Sequence, residues 1–175
     1  CAIQRAYEAS GGDIRQVTVM VLDAARRALI FGDLRAGREA LRQAVESDIP
    51  DGDLVYVALW LQLLERRVKA SSDGSVEAAL QSADGTDRWG RKLRAWGTQQ
   101  LADTELLGAA QNRVEKTEAT FYAALSNPSS ELTEHLKSVA SSETIELVEV
   151  MIARDMLKRA DSYTPPDLPK GVTVP

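Results

Sequence analysis

The sequence predicts an all-α protein made of antiparallel helical hairpins stacked as a short array, with capping helices towards the C-terminus. Three observations carry this. Apolar residues recur at helical spacing nearly everywhere, while the strict alternation of a half-buried strand is nearly absent. Gly, Pro and Asp/Ser clusters punctuate the chain every helix or two. With 175 residues, 44% of them hydrophobic, the chain can bury one real core but has little room for two full-sized domains. The expected organisation is a single helical domain over 1–161 and an extended Pro-rich tail over 162–175.

Each element has a local reason. The opening AIQRAYEAS already has helical spacing, and GGDIRQ (11–16) interrupts it. Asp13 is placed to cap the next helix, with Gln16 three residues on in capping-box position, and that helix should run to about Phe31. Gly32 ends it. Asp33 can cap a second helix reaching about Ser47, which Pro50 and Gly52 then stop. So short a connection makes the two helices antiparallel neighbours. LVYVALWLQLLERRV (54–68) is apolar around most of its circumference, so it should be the most buried element, with Trp60 in the core. Beyond the breaks ASSDGS and ADGTD, helices are expected near 75–83, over 87–101 despite Gly90 and Gly97, and over 103–125. Two more fit 130–140 and 142–161, with Glu143 placed at the positive end of the latter's dipole.

A search for repeats is rewarded over residues 18–50. Ala24, Ala25 and Ala28 lie along the first helix, Gly32-Asp33-Leu34 forms the turn, Gly37, Leu41 and Ala44 follow on the second helix, and Pro50 marks the stop. In this pattern the chain resembles the tetratricopeptide family, in which small residues let paired helices approach closely. It departs from that family where Val21 replaces an aromatic residue and Ala28 a tyrosine. Val55 and Ala58 suit a second unit whose second helix is shortened to VEAALQSA, and 87–125 is a fainter third, so the resemblance covers about half the chain. It implies a protein-binding scaffold whose first helices line a groove, with Arg26, Arg27 and Gln62 as contacts for a partner protein or peptide. The alternative is a plain helical bundle in which one hairpin matches by coincidence.

Cys1 is the only cysteine, which excludes an internal disulfide and a multi-cysteine metal site. Its position resembles the mature terminus of a bacterial lipoprotein, which implies a lipid attached to Cys1, and Ala2 after it favours the outer membrane. No apolar run approaches the roughly 18 residues of a spanning helix, so any membrane attachment must come from such an anchor. The resulting expectation is a periplasmic-facing, outer-membrane lipoprotein that helps assemble or target an envelope complex of secretin, pilus or secretion type. The contrasting class is a soluble cytoplasmic adaptor or regulator without lipid.

Catalysis, cofactor and metal are not expected. His135 is the sole histidine and cannot build a familiar zinc or iron site with one cysteine. Glu131, His135 and Ser138 have only the spacing of a polar helix surface. The acids of ELTEH and ETIELVE read as solvated helix faces, and no glycine pair has a phosphate-loop context. A net charge of −5 gives no global attraction to nucleic acid. One segment offers a sharper alternative: in DRWGRKLRAWG (87–97), Trp89, Leu93 and Trp96 share a face while Arg88, Arg91, Lys92 and Arg94 occupy others, a basic amphipathic pattern suited to anionic lipid or an acidic partner. The favoured reading packs both tryptophans into the array, because a layered helix needs an apolar stripe of this width.

Overall fold

A computed structural model describes residues 13–126, 132–143 and 147–162. All of its regular elements are helices: α1 (Ile14–Phe31), α2 (Leu34–Glu46), α3 (Asp51–Val68), α4 (Ser75–Ser82), α5 (Arg88–Gly97), α6 (Asp103–Ala109), α7 (Arg113–Ser126), α8 (Leu132–Ala140) and α9 (Val148–Ser162).

The first hairpin forms for local reasons that the sequence displays. Asp13 caps α1 by accepting from the Arg15 N–H at 3.0 Å, so the cap is as expected, although its recorded partner is not Gln16. Gly32 closes α1 in the left-handed region, with φ 75°, a conformation that costs glycine nothing. Asp33 then accepts from the Ala36 N–H at 3.0 Å and opens α2. At Gly37 the helices come closest: a Cβ placed there would stand 2.9 Å from Leu64 Cδ2, 3.1 Å from Leu61 Cδ1 and 3.6 Å from Ala28 Cβ. Ala40, Leu41 and Ala44 continue the same buried stripe.

Helix α3 is the spine of the fold. It packs against α1, α2, α4, α5 and α7, and Leu54, Val55, Val57 to Leu61, Leu63 and Leu64 are all buried. The hairpins are then tied end to end by arginines that satisfy the last carbonyls of a neighbouring helix, groups that helix geometry leaves without partners. Arg67 of α3 donates to Leu29 O at 2.6 Å, Arg94 of α5 to Ala83 O at 2.8 Å, and Arg154 of α9 to Ala140 O at 2.9 Å. Each places a cation at the negative end of a helix dipole.

Three boundaries differ from expectation. The helix expected over 87–101 ends at Gly97. The single helix expected over 103–125 is two, α6 and α7, because Asn112 Oδ1 accepts from the Glu115 N–H at 3.0 Å and Glu115 Oε2 accepts from the Gln111 N–H at 2.7 Å, a capping arrangement that starts a new helix. The last helix begins at Val148 rather than 142, and Glu143, expected in its first turn, instead pairs with Arg113 at 2.5 Å. The opening segment, Cys1 and the tail beyond Ser162 lie outside the described residues.

Helices α7 and α9 position the site. α7 packs on α3 and α9 packs on α1, so the face of the two first helices is covered by the chain's own C-terminal half. Arg26 meets Asp155 at 3.8 Å, and the Arg159 guanidinium lies 4.5 Å from the Phe31 ring centroid. Between these four helices a space remains.

Candidate functional site

That space is a cavity of about 500 Å³ between α1, α3, α7 and α9. Leu22 and Arg26 come from α1, Asp53, Tyr56 and Trp60 from α3, Glu118 from α7, and Glu149 and Met151 from α9. Its chemistry is set by two carboxylates that the core encloses almost completely, Glu118 at 3% exposure and Glu149 at 1%.

The placement follows from the helical stripe. On α7, Glu118 stands one turn before Tyr122, so it points inward with that ring instead of into water. Tyr56 Oη donates to Glu118 Oε1 at 3.1 Å, and Trp89 Nε1 donates to the other oxygen, Oε2. In the core beside it, Tyr122 Oη donates to Glu149 Oε1 at 3.0 Å. Among the described residues no lysine or arginine stands within ion-pair distance of either acid.

Burial therefore dominates their protonation. Desolvation and the neighbouring Glu149 push the Glu118 carboxyl up to about 7, against the two donated hydrogen bonds that pull it down. Desolvation also raises Glu149, opposed by its own backbone N–H, by Tyr122 and by the nearby Trp60 indole. Burial raises Asp53 at the same cavity. Trp60 itself, 2% exposed, keeps its Nε1–H without a hydrogen-bond partner of proper geometry. A carboxyl poised near neutrality in a cavity can hold a proton, release it, or ionise when a cation arrives, and groups perturbed by burial in this way are found clustered at functional sites. The described residues contain no cluster of three or more side chains able to hold a metal ion.

The structure distributes the sequence-derived candidates unevenly. Arg26 lines this cavity, but its guanidinium is turned to Asp23 at 2.8 Å. Arg27 projects to solvent and pairs with the same Asp23 at 2.8 Å. Gln62 faces away towards α5, where its Nε2 donates to Gly97 O at 2.8 Å. The three thus do not share one groove, because α7 and α9 occupy the face they were expected to line.

The basic helix α5 has its tryptophans inside, Trp89 at 7% and Trp96 at 4% exposure, as the packing reading expects. Trp96 Nε1 donates to Asp103 Oδ1 at 2.6 Å. Three of its cations are also engaged: Arg88 pairs with Glu115, Arg91 donates to Thr86 O at 2.8 Å, and Arg94 holds Asp84 at 2.6 Å. Lys92 is exposed. His135 is exposed on α8. Glu149 corrects the view of ETIELVE as a solvated face, since the helix turns this acid into the core.

Comparison with known proteins adds no relative: no family model, no curated protein and no solved structure matches the chain. No described helix is long and apolar enough to cross a membrane.

Proposed function

We propose that the chain is a non-catalytic protein-binding scaffold that docks a segment of a partner protein in the groove between α2 and α4. The observation that carries this reading is the groove itself, about 1330 Å³ and lined by Leu34, Leu41, Val45, Ala78 and Ala79. Val45 is left 53% exposed there, an apolar side chain that a docked segment would cover. Arginines border it. Arg42 is held by Glu39 at 2.7 Å and Arg38 by Glu65 at 2.9 Å, while Arg35 is exposed and makes no ion pair among the described residues. An apolar strip with an open cation beside it fits a helix or extended peptide that carries an acid near its apolar anchors.

The stacked hairpins support a binding role in the same way as the likeness to tetratricopeptide arrays, although here the second helices and not the first supply the open surface. A photo-crosslinking residue at Val45 tests the assignment, compared with one at Val19, which is 66% exposed on α1 outside the groove. A discrete adduct formed in host cells from position 45, absent from position 19 and lost on Arg35→Glu, is the expected result. Equal labelling from both positions, or none from 45, removes the groove as the docking surface.

A further inference from the structure

We propose that the cavity between α1, α3, α7 and α9 is a binding site for a small organic ammonium, a protonated primary or secondary amine on an apolar body with a hydrogen-bond acceptor close to the nitrogen. The inference is independent of the α2–α4 groove, which lies on other helices.

Four features select this class. Glu118 and Glu149 are the carboxyls of the cavity wall that are almost completely buried, and no cation of the described chain pairs with them. Arg26, the cation nearest to hand, is drawn aside by Asp23 and Asp155, at 2.8 and 3.8 Å. An ammonium supplies the missing charge and donors to both carboxylates. Second, the Trp60 Nε1–H stands near the Glu149 carboxylate without a well-formed hydrogen bond, so an oxygen or similar acceptor beside the ligand's amine competes there only with a poorly aligned contact. Third, Leu22, Leu147, Val148 and Met151 form an apolar wall, which the aromatic residues Tyr56 and Trp60, their rings 6.0 Å apart and tilted by 43°, complete. Fourth, the volume of about 500 Å³ lies in the range of small-molecule sites. Anionic ligands are disfavoured by the same two acids.

Binding is linked to protons. The titratable and charged groups lining the cavity are Asp23 and Arg26 from α1, Asp53 and Tyr56 from α3, Glu118 from α7, and Glu149 from α9, with Tyr122 of α7 in the core behind, hydrogen-bonded to Glu149. Of these, the carboxyls that burial makes harder to ionise, Glu118, Glu149 and Asp53, must give up any proton they hold to receive the ammonium. Affinity therefore strengthens as pH rises from about 5.5 to about 8, with protons released on binding.

The test uses the whole chain with 2-methoxyethylamine, phenethylamine and the latter's neutral isostere 2-phenylethanol, each at millimolar concentration. Binding is read from the Trp60 indole N–H resonance and from calorimetry in two buffers of different ionisation enthalpy. Saturable binding of at least one amine, absent for the alcohol, accompanied by proton release and weakened about tenfold or more by Glu149→Gln and by Glu118→Gln, is expected. Binding of neither amine, equal binding of the alcohol, or affinity unchanged by pH in the unmodified chain overturns the proposal. The pH dependence needs no variant, so it decides even if a substitution disturbs folding.

Discussion

Replacing Glu118 with glutamine isolates the energetic consequence of burying an acid in this fold. Glu118 is 3% exposed, and its carboxyl is raised from 4.5 to about 7 in the folded chain. At about 1.36 kcal/mol per pH unit, that is about 3 kcal/mol of stability. Because the folded pKa is the higher one, the folded state binds the proton more tightly than the unfolded chain. The penalty is accordingly absent below about pH 4.5, grows as pH rises, and is complete above about pH 7. The unmodified protein should lose about 2 to 3 kcal/mol between pH 5 and pH 8 from this group, with Glu149 acting in the same direction. Glutamine cannot ionise. Its Oε1 can accept from Trp89 Nε1, and its amide can donate to a Tyr56 hydroxyl that turns to accept, so both hydrogen bonds survive. Urea unfolding followed by circular dichroism should show Glu118→Gln close to the unmodified protein at pH 5 and about 2 kcal/mol more stable at pH 8. The acids that hydrogen bonds hold low, Glu39, Asp73 and Glu115, lose their contribution at more acid pH, so the slope left in the variant within this window belongs to the other raised carboxyls, Glu149 and Asp53. A protein equally stable at pH 5 and pH 8, or a variant that retains the full slope, would refute the argument.

Gly37→Leu should destabilise the fold by about 1 to 3 kcal/mol, because even a Cβ at this position crowds Leu64 and Leu61 and better helix propensity recovers only part of the loss. A thermal melt with no loss would show that the α1–α2–α3 contact is looser than described. Arg38→Met should cost about 2 kcal/mol, since it leaves Glu65, 5% exposed, without its cation, while the partial exposure of Arg38 softens the loss. A second substitution, Glu65→Leu, should recover most of that stability in chemical denaturation. No recovery in the double variant would mean that Arg38 acts through Ser71 and Asp73 instead.

The first hairpin was legible because its causes are local. Asp33, Gly32 and the small residues from Gly37 to Ala44 each act within one turn of the chain, and each is visible as a residue type at a fixed offset. The division of 103–125 was also written locally, as Asn112 followed by Glu115 at capping-box spacing, but without a glycine or proline it did not stand out. The acid cavity was legible only in half. Glu118 interrupts an apolar stripe shared with Tyr122 and Leu125, a signal that an acid will be carried inside. Its counterpart Glu149 sits on a helix whose approach to α1 and α7 depends on tertiary packing, which no periodicity reports. The same packing explains why Arg26, Arg27 and Gln62 part company: a groove deduced from paired helices alone omits the helices that later fill it.

The return of α9 to α1 also orders events during synthesis. A stack of hairpins can ordinarily fold as it emerges, each unit resting on the last. Here α1 and α3 leave the ribosome long before α7 and α9, so the wall that Tyr56 and Trp60 contribute to the cavity lacks its other half until nearly all of the described chain has been made. During that interval the nascent protein presents an aromatic, apolar surface of the kind that chaperones engage. Closure then comes late and all at once, when the C-terminal helices bring their two acids down onto that surface.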